Sequence, residues 1–150
     1  MGIYKAIHQT KFRNPHNKAM INIIFTHGWM MEKIKDFVKK DNITPQQYNI
    51  LRILRGAGKP LSILQIRERL LDKMSDTSRI VDRMILKGLV TKSVSLIDKR
   101  LVDITITPTG AELLQKLDAR NDELDNYMKS LTEEEAEQLS ILLDKLRNHH

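Results

Sequence analysis

The side chains whose type and spacing could do chemistry here fall in two clusters. The first runs through Ser75, Thr77, Ser78, Arg79 and Arg83: short hydroxyls followed by two guanidinium groups. Hydroxyls at a helix start can donate to phosphates or bases, and arginine makes bidentate bonds to guanine or phosphate. The second cluster is Asp98-Lys99-Arg100, two cations beside one carboxylate. In the functional reading Arg100 enters a minor groove or grips a phosphate, and Asp98 holds it extended through a local ion pair. An exposed ion pair contributes little energy, so its value would be orientation. Both clusters also have a plainer reading, as the solvated face of an amphipathic helix and as a charged turn.

Catalytic and metal-binding constellations are not assembled in the sequence. No serine elbow, glycine-rich phosphate loop or carboxylate pair is present. Glu133-Glu134-Glu135 reads as a helix start, whose carboxylates suit the positive end of the helix dipole. With no cysteine, a thiol redox sensor, a cysteine nucleophile and a thiolate metal site are excluded. His8, His16 and His27 lack the i, i+4 spacing of helical metal ligands, and no acidic partner stands at ligand spacing beside them. His149 and His150 are set aside from the fold argument as a candidate purification-tag remnant. The expectation is therefore no enzyme, no metal and no cofactor.

Charge points to the partner. The 150 residues carry a net charge of +6, and excess positive charge attracts nucleic acid or anionic membrane without defining a fold. Residues 1–61 hold 11 basic and 3 acidic side chains, residues 62–107 hold 9 and 6, and residues 108–150 hold 5 and 10. A polyanion is thus expected at the front or middle of the chain. No apolar run is long enough to span a membrane. The first residues lack the pattern of a secretion signal, so the expected location is the cytoplasm.

The elements that must position these residues are marked by their starts. Thr44-Pro45-Gln46-Gln47 combines a hydroxyl cap, a proline at the first helical position and a glutamine at the third. Ser62-Ile63-Leu64-Gln65 and Thr132-Glu133-Glu134-Glu135 repeat the capping form, and Thr107-Pro108 offers a further cap. Apolar spacing predicts helices over about 17–40, 45–55, 63–71, 76–87, 108–130 and 133–148. Gly88 is placed to stop the fourth. Between the fourth and fifth the period changes to two: 90–94 is β-compatible, and 101–107 alternates with Val102, Ile104 and Ile106 on one face. Short helix, tight connection, second helix and hairpin is the order of a winged helix-turn-helix. Its second helix fits the major groove, where base edges are distinguishable, and its first braces it against the backbone. Ile80, Met84, Ile85 and Leu89 are the expected inward face of that second helix. The fold class is mostly α with a small β-hairpin wing: a winged helix-turn-helix lobe plus a helical dimerisation region, in a single domain.

Several of these segments resemble the MarR family of regulators. Ser78-Arg79-Ile80-Val81-Asp82-Arg83-Met84, followed by Lys87-Gly88-Leu89-Val90, is similar to the family's recognition helix and its exit. Asp98-Lys99-Arg100 and Ile106-Thr107-Pro108-Thr109-Gly110 resemble its wing pattern. Thr44-Pro45-Gln46-Gln47 and Leu51-Arg52-Ile53-Leu54 resemble the segment before the helix-turn-helix. Lys99 departs from the more usual second arginine, keeping the charge but not the bidentate fork. Leu86 stands where a polar residue is commoner.

The resemblance implies a homodimer on double-stranded DNA, with terminal helices (about 17–40 and 108–148) interleaving and a lobe of about 44–107 reaching a pseudo-palindromic operator. It also implies a transcriptional regulator, more often a repressor. Relatives often bind small aromatic anions between the dimer helices and the DNA lobes, so Met20, Trp29, Met30 and Met31 are candidate effector contacts; core packing is their other reading. The leucine-rich last helix and apolar-striped first helix support the dimer independently, against a monomeric helical cap. The alternative function is a winged-helix module that binds protein and not DNA.

Overall fold

Side-chain caps set most of the segment boundaries in the computed structural model, which describes residues 2–148; His149 and His150 lie outside the described residues. After the short α1 (Ile3–Ala6), the Asn14 side chain accepts from the Asn17 N–H at 2.8 Å and opens α2 (Pro15–Lys39). Thr44 and Gln47 bond reciprocally, both at 3.1 Å, to start α3 (Pro45–Ala57). A two-residue strand, β1 (Leu61–Ser62), leads into α4 (Ile63–Arg69), which Ser62 and Gln65 cap in the same reciprocal way. The Asp76 carboxylate accepts from the Arg79 N–H at 3.2 Å and caps α5 (Thr77–Leu86). Gly88, at φ 72°, turns the chain out of α5 in the left-handed conformation that glycine adopts without strain. The hairpin β2 (Val90–Val94) and β3 (Val102–Ile106) follows, then α6 (Pro108–Asp118), α7 (Asn121–Asn126) and α8 (Glu133–Arg147).

The three strands form an antiparallel sheet in the order β1-β3-β2. Val90 lies opposite Ile106, Val94 opposite Val102, and Leu61 opposite Ile104. β1 adds a strand that periodicity did not predict, because two residues are too short to show an alternation. Its Leu61 is fully buried, in a core shared with Ile50 and Leu51 of α3, Ile66 of α4, Met84 of α5 and Leu114 of α6. Burying one such side chain contributes roughly 1.5–3 kcal/mol. The result is a mostly helical winged helix-turn-helix fold, as expected.

One expected element is corrected. The single helix over 108–130 is two helices, α6 and α7, followed by turns. After α6 the Arg120 N–H reaches back only to the Leu117 carbonyl, at 2.9 Å, tightening the turn. The Arg120 guanidinium meanwhile donates to the Phe37 carbonyl at 3.2 Å and pairs with Asp41 and Glu123, with Lys116 also bound to Asp41 at 2.9 Å. This long-range anchorage to the C-terminal end of α2 accompanies the break.

Candidate nucleic-acid interface

The helix pair α4–α5 is tied to α3 and the segment before it by bonds in the connection that precedes α5 and at its exit. Before it, the Asn49 side chain of α3 accepts from the Leu71 N–H at 3.0 Å, pinning the connection from α4. Beyond it, the Lys87 ammonium donates to the Asn42 carbonyl at 2.6 Å and to Gln47 Oε1 at 3.1 Å. Gln47 is thus both a cap for α3 and an anchor for the exit of α5. The anchoring bonds of Asn49, Gln47 and Lys87 carried no signal in a one-dimensional pattern, since their partners lie 22 to 45 positions away.

With α5 so placed, Val81 and Met84 are buried and Ile80 and Ile85 half-buried, with Leu89 buried just beyond. The expected inward set holds, and Val81 joins it. Ser78, Arg79, Asp82 and Arg83 stand exposed, as does Leu86. Ser75 is half-buried in the preceding turn, where its N–H donates to the Asp72 carbonyl at 3.3 Å. Thr77 is a correction. Its side chain is 0% exposed and its hydroxyl has no partner, because the first turn of α5 points this position into the core. It belongs to the packing and not to the accessible hydroxyls.

The wing is built from its own hydrogen bonds. The Ser95 N–H donates to the Leu101 carbonyl at 3.0 Å, and the Leu101 N–H donates to the Asp98 carbonyl at 2.9 Å. The buried Ser95 hydroxyl accepts from the Ile97 and Asp98 N–H groups, both at 3.3 Å. Sequence reasoning missed Ser95; a serine followed by a turn is a weak sign of such a bond. Asp98 accepts from the Arg100 backbone N–H at 3.0 Å and from its guanidinium Nε and Nη2 at 3.1 and 3.0 Å. The arginine's hydrogen bonds lower the Asp98 pKa below the usual carboxylate value, and the carboxylate raises that of Arg100. Both groups therefore stay charged across neutral pH. The expected Asp98–Arg100 ion pair is present, with Lys99 exposed between them.

At the junction of wing and helix, the Thr107 hydroxyl donates to the Gly88 carbonyl at 2.7 Å and accepts from the Gly110 N–H at 3.0 Å. A Cβ at Gly110 would run into the Leu89 carbonyl oxygen. Thr107 and Gly110 thus bind the exit of α5 to the start of α6.

The four α2 residues read as effector contacts are spread along the helix. Met20 and Trp29 are exposed, Met30 and Met31 half-buried, and about 13 Å of helix separates Met20 from Trp29 at 1.5 Å per residue. Met31 lines an open groove of about 500 Å³ with Glu32, Lys35, Thr44, Pro45 and Gln46. Trp29 meets Tyr127 edge-on, with centroids 6.2 Å apart, and the Lys33 ammonium lies within 5.8 Å of both rings. Among the described residues no group of three His, Cys, Asp or Glu side chains could hold a metal ion, and no helix is long and apolar enough to cross a membrane.

Comparison with known proteins agrees with this geometry. Residues 41–101 match the model of the MarR family. The HTH-type transcriptional repressor MdtR of Bacillus subtilis (strain 168) is 30% identical over 110 residues, covering 73% of this chain and 70% of that protein. A cysteine-to-serine variant of MarR from E. coli, solved in complex with operator DNA, has a TM-score of 0.81 at 22% identity, covering 92% of this chain and 99% of that one. An organohalide-sensing transcriptional regulator in its 2,4-dichlorophenol-bound form has a TM-score of 0.82 at 24% identity, covering 95% and 88%. For these last two the likeness is one of fold.

Proposed function

This chain belongs to the MarR family of winged-helix transcriptional regulators, and from that premise we propose that it is a repressor acting as a homodimer on a pseudo-palindromic operator. One observation carries the reading furthest: α5 leaves Ser78, Arg79 and Arg83 exposed on a helix braced at both ends, beside a wing whose Arg100 is pinned by Asp98. Arg79 and Arg83 make bidentate bonds to guanine edges or phosphates in the major groove, and Ser78 and Ser75 donate to phosphates. Arg100, oriented by Asp98, enters the minor groove or grips a phosphate, and Lys99 adds charge without geometry. Winged lobes of about 44–107 do the binding, and helices of about 17–40 and 108–148 join two copies in the cytoplasm. A protein-binding winged helix is the second reading, but α5 and the wing expose four cations, Arg79, Arg83, Lys99 and Arg100, which favours a polyanion.

Release by a small aromatic or anionic effector belongs to the same proposal. Trp29, Tyr127 and Lys33 form a pair of rings with a cation over them, which suits an aromatic anion. The organohalide-sensing relative of fold holds a chlorophenol. An effector of this kind controls binding only by differing in affinity for two conformations.

A gel shift over a salt series tests the reading. Counterion release makes affinity for a duplex fall on the order of a thousandfold between about 50 and 200 mM salt. Arg100→Ala lowers affinity and flattens the slope by about one unit if Arg100 meets a phosphate. Unchanged affinity and slope in this variant would remove the role given to Arg100.

A further inference from the structure

The wing carries two side chains that the function above does not use. Leu96 and Ile97 are each 99% exposed, more than any other large hydrophobic among the described residues. They are not the loose end of a hairpin. The buried Ser95 hydroxyl holds the Ile97 and Asp98 N–H groups, and the Leu101 N–H closes the tip on the Asp98 carbonyl. The turn therefore presents two branched apolar groups to water from a hydrogen-bonded backbone. Lys99 and Arg100 follow them after Asp98, which is itself bonded to Arg100, and Lys92 stands exposed on β2; the other acidic group nearby is Asp103 on β3.

We propose that Leu96 and Ile97 are a specificity element: an apolar tip that lies on the floor of the minor groove and selects A·T pairs over G·C pairs. The inference rests on the DNA-binding reading. Two side chains fall far short of the ~800 Å² per partner of a stable protein interface, and burying them against protein would also bury Lys99 and Arg100. A minor groove takes the same tip without that penalty, because phosphates line both its rims. It is about 6 Å wide, enough for a hairpin tip's side chains, and its floor distinguishes pairs mainly by the guanine N2 amino group. Covering that amino group with leucine or isoleucine leaves a donor unpaired and meets its bulk. An A·T floor has neither the donor nor the bulk, and its acceptors remain available to Arg100.

The test uses the full-length chain and a duplex recovered from a random pool, remade with A·T, G·C or inosine·cytosine pairs at the outer positions on each side. Inosine·cytosine keeps the major-groove face of G·C and lacks the minor-groove amino group. Wild type is expected to bind the A·T and inosine duplexes alike and the G·C duplex on the order of tenfold more weakly. Leu96→Ser with Ile97→Ser, at exposed positions and with Arg100 retained, is expected to keep its thermal midpoint and lose the discrimination. Equal binding of all three duplexes by wild type overturns the proposal. So does undiminished discrimination in the double variant, or a change only in its oligomeric state. If wild type binds no duplex, the DNA-binding reading falls first and takes this one with it.

Discussion

Thr77 shows how a single side chain separates reading from packing. Its hydroxyl lies beside a row of candidate DNA contacts in sequence, yet it is buried without a hydrogen-bond partner. An unpaired buried hydroxyl costs about 1–3 kcal/mol. Thr77→Val keeps the shape and removes that cost, so it is expected to raise stability by about 1 kcal/mol in denaturant unfolding and leave DNA affinity unchanged. A drop in affinity at unchanged fold would return Thr77 to the interface. The Asp118 carboxylate of α6 pairs with Arg55 of α3 through two guanidinium bonds, which lower its pKa. A folded-state pKa below the unfolded value of about 3.9 gives stability that is fully present above that value and lost as pH falls through the folded one. Asp118→Asn should therefore cost stability at pH 7, by less than about 1 kcal/mol for so exposed a pair. The loss should vanish in strong acid; a pH-independent difference would mean that the substitution acts through something other than charge.

At the scale of elements, the junction of α5, the wing and α6 leaves no room for a side chain at Gly110. Gly110 sits against the Leu89 carbonyl, which also accepts the Thr107 N–H at 3.1 Å. Gly110→Ala pushes against backbone, and is expected to cost about 1–3 kcal/mol, read as a lower denaturation midpoint. A neutral result would mean that α6 can shift freely relative to the wing. The start of α6 at this junction was visible in the sequence as Thr107-Pro108, because caps and prolines act over three or four residues; the contacts of Thr107 with Gly88 and of Gly110 with Leu89 were not. The starts of α3, α4, α6 and α8, the inward face of α5 and the Asp98–Arg100 pair were legible for the same reason. What was not legible depends on distant partners: the break at Arg120, set against Phe37 and Asp41; the anchorage of Lys87 on Asn42 and Gln47; and the pairing of Leu61 with Ile104. Ser95 lay between these cases, a local bond without a strong local signature.

At the scale of the whole molecule, one chain leaves apolar surface uncovered at both ends of the sequence. Met20, Ile23, Ile24 and Phe25 of α2 are exposed, as are Leu139, Ile141, Leu142 and Leu146 of α8, which has no buried residue. Leu139, Leu142 and Leu146 share one helical face by their spacing. In the proposed dimer a second copy covers these faces, so Leu142→Asp is expected to shift the protein towards monomer in sedimentation and to weaken operator binding while leaving each lobe folded. An unchanged sedimentation coefficient would move the contact elsewhere. In the proposed complex two copies present α5 and the wing together to one duplex. Selection of bound fragments from a random DNA pool by the purified chain tests it most directly. Recurring, inverted half-sites are expected, with centres about one helical turn apart, roughly 34–36 Å. A recovered pool with no shared sequence, or with single unpaired half-sites, would contradict it.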